Sequence, residues 1–328
     1  MFLGAIDIGG TKTIVAVCDE KGNIIEMENF HTEKGGWAEH FKITGEKFIQ
    51  CIKKLQLDIG DDLIGIGING PGMVDENGIL IYAPHQNWRE VPVKEFFSKL
   101  FKTDKIVVEN DVNSCAIGEL VFGGGGNDFL WITISTGNGG AIVANGQLIR
   151  GNNSCAGEFG HLKVEFDSPR KCSCGQYGCL EAHSSGTAIK EQFEEALLSD
   201  FNFKELVLNR QATDKDFKID AFGLSLLARE GNLVAIDIFK KAGMYLGRAI
   251  SYGVNISNPK TVYLGGGISE SLDLILPDII LEMNKCAIEV SGEVGGNVTI
   301  CKTKLGYHAA IIGAAALVLS QKDILAKL

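Results

Sequence analysis

The chain is poor in proline, in surplus positive charge and in long apolar runs, and each shortage limits what kind of protein it encodes. With 6 prolines against 41 glycines in 328 residues, we expect many tight turns and few rigid loops. The net charge of −10 argues against a surface for nucleic acid or for an anionic membrane. No stretch approaches the roughly 20 apolar residues of a membrane span, and the start, MFLGAIDIGG, lacks the basic region of a signal peptide. We therefore expect a cytoplasmic protein whose partners include neither membrane nor nucleic acid.

The cysteines do not form the even set of a disulfide framework. There are nine of them, and an odd count with several grouped together fits a reducing compartment better than a secreted scaffold. The hydrophobic fraction of 45% and the charged fraction of 22% are ordinary for a globular protein. A chain of this length exceeds what one compact core usually holds, so two domains are expected.

The stretch between Gly157 and Glu181 carries the strongest chemical signal. Cys172, Cys174 and Cys179 fall within eight residues, and His161 precedes them. Three thiolates and one imidazole complete a tetrahedral shell for Zn²⁺, and a closed shell of four protein ligands is typical of a structural site. A redox pair with a stray buried thiol is the alternative, but CxC is not the usual CxxC redox spacing.

Two carboxylates flank these ligands. Glu158 lies three residues before His161, and Glu181 lies two residues after Cys179. If one nitrogen of His161 binds zinc, the other is fixed as a donor and can face a hydroxyl group. The cluster then suits a polyhydroxylated ligand, although both glutamates remain open to interpretation as solvated loop charges.

The first residues predict a hairpin with an anion-binding tip. A buried strand over residues 2–8 is followed by GGTK and a second strand. Gly9 and Gly10 expose backbone N–H groups, Thr11 adds a hydroxyl and Lys12 adds positive charge. Asp7 is suited to hold a hydrated Mg²⁺ that bridges to a phosphate. A plain glycine hairpin is the alternative.

The same pattern occurs again in the middle of the chain. FLWITISTGNGGAIVANGQLIRG repeats the strand, loop and hairpin of AIDIGGTKTIVAVCDEKGNII, so we expect two similar halves with a nucleotide between their hairpin tips. Thr136 and Gly137 belong to the second loop. A later strand, Val262–Leu264, runs into Gly265 and Gly266, where the backbone is able to lie against a base or ribose or simply to turn.

Polar residues follow a strand at Ile106–Val108. Glu109, Asn110 and Asp111 come at its carboxyl end, where α/β proteins place chemistry. A helix is predicted after them, over VNSCAIGELVFG at residues 112–123. Asp111 is the candidate general base and Asn110 orients substrate; Asp111 as a simple N-cap of the helix is the alternative.

A GxGxxG pattern also occurs, at Gly65, Gly67 and Gly70. We reject a dinucleotide site there, because the strand runs through these glycines and Pro71-Gly72 follows where a helix would have to open. Gly70 instead begins a tight loop that lines a ligand.

The motifs DIGGTK, VENDVN, STGNGG, GEFGH, CSCGQYGCLE and YLGGGIS occur here in this order. Together they resemble the ROK family of bacterial sugar kinases and sugar-responsive repressors, over essentially the whole chain. The resemblance implies an actin-like, ribonuclease H-like α/β fold of two duplicated domains, with ATP and sugar in the interdomain cleft. It places a small N-terminal domain at residues 1–117 plus about 312–328, and a large domain with the zinc site at 118–311.

The resemblance also implies roles for individual residues. The first phosphate loop comprises Asp7, Gly9, Gly10, Thr11 and Lys12, the second comprises Thr136 and Gly137, and the adenosine loop comprises Gly265 and Gly266. The sugar ligands are Gly70, Asn110, Asp111, Glu158, His161 and Glu181, and the zinc ligands are His161, Cys172, Cys174 and Cys179. The chain departs from the family pattern at Asn138, His183 and the segment from Tyr307 to Ala310.

The implied activity is ATP-dependent phosphorylation of a hexose, with glucose at its 6-hydroxyl as the leading substrate and Asp111 as base. Similarity to N-acetylmannosamine kinases keeps that amino sugar as an alternative. A sugar-sensing regulator is the alternative of another class, disfavoured by the acidic charge and by a first strand at Phe2 that leaves no room for a helix-turn-helix. Relatives of this type imply a homo-oligomer, a dimer or a tetramer.

Overall fold

The computed structural model describes residues 1–33, 36–83, 86–290, 293–294 and 297–320, which fall into two compact units. The first unit comprises Met1–Asn127, Asn145–Ala156 and the chain from Thr303 onward, and the second comprises Asp128–Ala144 and Gly157–Lys302. The domain boundaries expected from the sequence, at 117/118 and near 311/312, stay a prediction, and residues 321–328 of that expectation lie outside the described part.

Strands and helices alternate as in a mixed α/β protein. The strands are β1 (Phe2–Ile8), β2 (Lys12–Asp19), β3 (Ile24–His31), β4 (Leu63–Gly70), β5 (Met73–Val74), β6 (Leu80–Ala83), β7 (Trp88–Val91), β8 (Ile106–Asn110), β9 (Phe129–Ile134), β10 (Asn138–Ala144), β11 (Gln147–Leu148), β12 (Thr261–Gly265), β13 (Glu289–Val290), β14 (Glu293–Val294) and β15 (Thr299–Lys302). The helices are α1 (Trp37–Lys54), α2 (Val93–Phe101), α3 (Asp111–Gly118), α4 (Glu181–Ser184), α5 (Gly186–Ser199), α6 (Phe201–Thr213), α7 (Ala221–Arg229), α8 (Leu233–Ser257), α9 (Leu272–Cys286) and α10 (Ala309–Leu319).

The first unit is built on a sheet in the order β3-β2-β1-β4-β8. β1 pairs antiparallel with β2 and parallel with β4, and β4 pairs parallel with β8. Side chains alternate between the two faces of β1: Ile6 and Ile8 belong to the core with α1 and α2, whereas Leu3 and Ala5 belong to the core with α10. Both faces of this sheet are therefore covered by helices.

The second unit repeats the arrangement with the strand order β10-β9-β12-β15. β9 pairs antiparallel with β10 and parallel with β12, and β12 pairs parallel with β15. The internal repeat predicted from the sequence is thus confirmed at the level of strand order and direction. The long helix α8 is buried along much of its length in the core of this unit.

Around Asp111, the structure excludes one alternative interpretation and corrects one prediction. The N-cap of α3 is Asn110 and not Asp111, because the Asn110 side chain accepts hydrogen bonds from the amides of Val112 and Asn113. The helix expected to continue to Gly123 instead changes to a π-helical turn at Glu119–Gly123. Within the described residues, no helix combines the length and the apolar character needed to cross a membrane.

Candidate active site and metal-binding cluster

In the first unit, the next-to-last residue of each of three neighbouring strands is polar. Asp7 on β1 is paired with Asn69 on β4, and Asn69 is paired with Glu109 on β8. Since these strands are parallel, their carboxyl ends meet at one edge of the sheet, where α/β proteins bind ligands. Asn69 Nδ2 donates to Asp7 Oδ1 at 3.1 Å. Asn69 was not among the residues predicted from the sequence, where its signal is a lone amide near the end of the apolar run LIGIGING.

The carboxylate of Asp7 is held in a low-dielectric setting. Burial raises the pKa of Asp7, while the hydrogen bond from Asn69 and the charge of Lys12 pull it down again. The amide of Asn69 also donates to the Ala310 carbonyl at 2.7 Å, which fixes its orientation. A partly buried carboxylate with only partial charge compensation is suited to gain a cation.

The predicted substrate residues of this unit lie together. Asn110 Nδ2 donates to the Gly72 carbonyl at 3.0 Å and to Asp111 Oδ1 at 3.1 Å, and Gly70 is paired with Asn110 across the sheet. The tight loop after Gly70 is therefore hydrogen-bonded to Asn110, the N-cap of α3. Asp111 Oδ1 also accepts from the Val112 amide at 3.0 Å, so its carboxylate is oriented by two donors.

An ion pair between the buried Glu109 and the exposed Arg150 supports this segment. Glu109 is 5% exposed and accepts from Arg150 Nε at 2.7 Å. The same carboxylate accepts from the Asn110 amide at 2.9 Å and from Asn113 Nδ2 at 3.1 Å. Although the sequence placed Glu109 beside the candidate base, its partner Arg150 is 41 positions away in the chain and carried no local signal.

The first glycine loop joins β1 to β2. The Gly9 amide donates to the Lys12 carbonyl at 3.0 Å, which closes a tight turn with Gly10 and Thr11 exposed at its tip. Lys12 Nζ donates to the Tyr307 hydroxyl at 2.8 Å and lies 4.6 Å from the centre of its ring. Asp7 and the four loop residues thus lie together within the first unit, with Tyr307 as an unforeseen partner of the lysine. Their role in phosphate binding stays a prediction.

In the second unit, the other two glycine loops lie side by side. The Ser135 carbonyl accepts from the Gly186 amide at 2.7 Å, and the Thr136 carbonyl accepts from the Thr187 hydroxyl at 2.8 Å. Gly266 has a φ of +84°, and a Cβ there would lie 2.5 Å from the Ile134 carbonyl oxygen. Only glycine allows the chain after β12 to pass so close to the loop of Thr136 and Gly137.

The four candidate metal ligands form one cluster. The donor atoms of His161, Cys172, Cys174 and Cys179 all lie within 4.8 Å of one another. His161 Nδ1 is 3.5 Å from Cys172 Sγ, and the sulfurs of Cys174 and Cys179 are 3.8 Å apart. Burial raises the pKa of the Cys172 thiol to about 12, so a cation is needed to hold it as a thiolate at neutral pH. These residues are able to hold a metal ion.

The two predicted carboxylates lie beside this cluster. Glu158 Oε2 is 3.9 Å from His161 Nε2, the ring nitrogen that faces away from Cys172. Burial and the nearby Glu181 raise the pKa of Glu158, and His161 opposes them; the side chain is nonetheless 49% exposed, so solvent screens these effects.

Glu181 joins the cluster to the second glycine loop. Its Oε1 accepts from the Ser173 hydroxyl, and its Oε2 accepts from the Asn138 amide at 3.2 Å. A Cβ at Gly137 would lie 2.5 Å from Glu181 Oε2, so that glycine makes room for the carboxylate. Asn138, which departs from the family pattern, is 7% exposed and donates from its side chain to Ser184 Oγ at 2.6 Å.

The fold and these clusters define an α/β protein of two similar units, each with glycine loops at the carboxyl ends of its strands, and one with a Cys/His cluster. The ROK family model matches residues 3–321, and the chain belongs to the ROK family.

Relatives within this family include kinases and repressors. A glucokinase of Streptomyces coelicolor is 31% identical over 321 residues, which cover 95% of this chain and 96% of the relative. A xylose repressor of Bacillus subtilis is 32% identical over 319 residues, which cover 96% of this chain and 76% of the repressor. Similarity to either relative therefore does not by itself distinguish an enzyme from a regulator.

Solved structures show the same architecture. The ROK glucokinase of Streptomyces griseus, in complex with glucose and AMPPNP, matches with a TM-score of 0.79 and 29% identity over 97% of this chain and 99% of that one. This likeness identifies the fold as the actin-like fold of ROK sugar kinases, as predicted.

Proposed function

We propose that the protein is an ATP-dependent sugar kinase that phosphorylates a hexose, with glucose at its 6-hydroxyl as the leading substrate. The observation that carries the proposal is the position of Asp111 at the carboxyl end of β8, oriented by Asn110 and the Val112 amide, in a unit whose first strand ends in a phosphate-type loop. A regulator needs to bind sugar but has no use for an oriented general base.

In the proposed reaction, Asp111 accepts the proton of the sugar hydroxyl as its oxygen attacks the γ-phosphorus of ATP. The bond from that phosphorus to the bridging oxygen of ADP breaks, and ADP leaves. The backbone N–H groups of the loops at Gly9–Lys12 and Thr136–Gly137 neutralise the phosphoryl charge, so that positioning and electrostatics supply most of the rate. Gly265 and Gly266 receive the adenosine. Asp7 would hold the Mg²⁺, which neutralises charge on the phosphates when it is bound.

We further propose that the Cys/His cluster holds Zn²⁺ as a structural ion. Zinc–sulfur bonds of about 2.3 Å in a tetrahedron place two sulfurs about 3.8 Å apart, which agrees with the 3.8 Å between Cys174 and Cys179. Lys163 Nζ lies 3.3 Å from Cys179 Sγ, where its charge offsets that of a third thiolate.

With Nδ1 of His161 turned to the metal, its Nε2 is left to donate to a sugar hydroxyl, beside the acceptors of Glu158 and Glu181. Gly70 and Asn110 contribute the remaining proposed sugar contacts.

Assembly into a dimer or tetramer and a cytoplasmic location also stay proposals. Light scattering of the purified protein tests the assembly.

The first test is ADP release from Mg-ATP with glucose, mannose, fructose, N-acetylglucosamine and N-acetylmannosamine, in wild type and in Asp111→Asn. The asparagine keeps an oxygen for the Val112 amide but cannot take a proton. We expect turnover to fall at least about a hundredfold while the sugar Kd changes little. The exposed Asp61→Asn is the matched control and should behave as wild type.

The panel also separates the alternatives. Preference for N-acetylmannosamine over glucose would move the substrate to the amino sugar. Sugar binding without any turnover, in protein shown to contain its metal, would contradict the kinase and favour a sugar-sensing regulator, the function class named for the xylose repressor relative. Turnover that persists in Asp111→Asn would contradict Asp111 as the base.

A further inference from the structure

A line of buried side chains runs from helix α1 to the first glycine loop. Thr13 and His40 are 0% exposed and Thr32 is 2% exposed. The Thr32 hydroxyl donates to the Gly9 carbonyl at 2.9 Å. Thr13 Oγ1 lies 2.9 Å from Thr32 Oγ1 and 2.8 Å from His40 Nε2. Three consecutive hydrogen bonds therefore connect the histidine ring to the backbone of the loop.

The direction of these bonds follows from counting hydrogens. A threonine hydroxyl has one hydrogen, and that of Thr32 is used on the Gly9 carbonyl, which only accepts. Thr13 must therefore donate to Thr32, and His40 must donate to Thr13. This assigns the hydrogen of the neutral ring to Nε2 and leaves Nδ1 as the bare nitrogen. His40 Nδ1 is buried without a hydrogen-bond partner among the described residues, and burial lowers the pKa of His40, which agrees with a neutral ring.

Thr32 holds the loop at two points. Its backbone amide donates to the Thr11 carbonyl at 3.0 Å, and its hydroxyl donates to the Gly9 carbonyl. An anion-binding loop needs its N–H groups turned toward the phosphate and its carbonyl oxygens turned away from it. Thr32 fixes two of those carbonyls, and His40 fixes the rotamer of the Thr32 hydroxyl through Thr13. Gln86 Nε2 adds a longer contact to the Gly9 carbonyl at 3.3 Å.

We propose that His40 is a positioning residue for nucleotide binding, which acts through Thr13 and Thr32 on the first glycine loop. The inference rests on the proposed kinase function for its role in turnover. His40 acts on phosphate affinity and on the order of the loop, and it leaves the sugar site and the proton transfer untouched. A histidine that merely fills the core would instead affect stability alone.

Paired variants test the donor relay. His40→Leu and Thr13→Val each break it, whereas His40→Gln keeps a donor near Nε2 and Thr13→Ser keeps the hydroxyl. We expect the KM for Mg-ATP to rise about tenfold in the breaking variants, which is the loss of one well-ordered hydrogen bond, with the sugar KM unchanged. The conservative variants should stay within about threefold of wild type. The double variant His40→Leu/Thr13→Val should be no worse than either single one, because both break the same relay.

Thr44→Val is the matched control. Thr44 is equally buried on the same helix, and its hydroxyl donates to the His40 carbonyl at 2.8 Å within the helix, so its loss does not reach the loop. An unchanged KM for Mg-ATP in folded His40→Leu would overturn the proposal. So would failure of both conservative variants, additive effects in the double variant, or an equal effect of Thr44→Val.

A second measurement tests the effect of His40 on the loop even if the protein phosphorylates no sugar. Hydrogen exchange of a peptide that contains Gly9–Lys12, measured without ligand, reports the order of the loop directly. We expect faster exchange there in His40→Leu than in Thr44→Val and His40→Gln, with peptides from α2 unchanged. Equal exchange in all of these variants would overturn the relay. If the wild-type protein phosphorylates no sugar but the exchange pattern is as expected, the proposed kinase function would be contradicted and the role of His40 would stand.

Discussion

His183 shows how one buried ring sets a pH dependence. It is 6% exposed, and its ring centre lies 4.3 Å from that of Tyr245. Burial and then the charge of Arg170 lower the pKa of His183 to about 4, against an opposing contribution from Glu165. The ring is therefore neutral in the folded state at any pH well above 4, whereas in the unfolded chain it takes up a proton below about 6.5.

From this shift we predict a loss of stability with acid that depends on His183. Above about pH 6.5 neither state binds the proton and His183 contributes no pH dependence. As the pH falls toward 4, only the unfolded state gains a proton, so the free energy of unfolding drops, by about 2 kcal/mol at pH 5. His183→Phe keeps a ring against Tyr245 without titrating, and its stability relative to wild type should rise by that amount between pH 7 and pH 5.

Urea unfolding at the two pH values measures this difference, and effects shared by both proteins cancel. The exposed His31→Phe is the control, and it should follow the wild-type pH dependence. If His183→Phe lost as much stability as wild type on acidification, the buried neutral ring would not be the cause.

At the scale of elements, the packing of α10 on β4 depends on glycine in the strand. A Cβ at Gly67 would lie 1.7 Å from the Ala314 carbonyl oxygen, and one at Gly65 would lie 3.0 Å from Val318 Cγ1. The backbones of α10 and β4 are thus in direct contact. The glycines that first suggested a dinucleotide motif serve packing, because they leave space for a helix from the far end of the chain.

We predict that Gly67→Ala destabilises the first unit severely, by about 3 kcal/mol or more, because neither backbone is able to move away without losing core contacts. Gly36→Ala is the matched substitution, since a Cβ there meets nothing within 4 Å, and it should cost less than about 1 kcal/mol. Denaturant midpoints compare the two. Similar, small costs for both would show that α10 shifts easily on the sheet.

The sequence predicted features that depend on residues close together in the chain, and it missed features that depend on distant ones. The glycine loops, the repeated hairpin and the Cys/His cluster depend on neighbours in the chain. The residue types in these stretches therefore predict them. The alternative interpretation of Asp111 as the N-cap was open because Asp and Asn are both good caps, and only backbone geometry shows that the cap is Asn110. The π-helical turn at Glu119 coincides with a hydrogen bond from Thr303, a partner 184 residues away that no local pattern reveals.

At the scale of the whole molecule, each unit has its own core and its own optical reporter. Trp37 and Trp88 belong to the first unit, and Trp131 is the tryptophan of the second, buried on β9. The core around α5–α9 is built from residues of the second unit alone, and so is the Cys/His cluster. Removal of a metal should therefore lower the stability of the second unit first. A chain of two such units need not unfold in one step.

We predict that loss of the metal lowers the denaturant midpoint reported by Trp131 and leaves that of Trp37 and Trp88 nearly unchanged. A metal that binds only the folded state stabilises it by about 4 kcal/mol when its free concentration is 1,000 times Kd. Trp37→Phe/Trp88→Phe isolates the second reporter and Trp131→Phe isolates the first, each measured with and without chelator. Cys174→Ser should reproduce the chelator effect on Trp131, because a shell of three ligands binds zinc less tightly than one of four. Equal shifts for both reporters would mean that the two units unfold together, and no shift for either would mean that the cluster holds no structural metal.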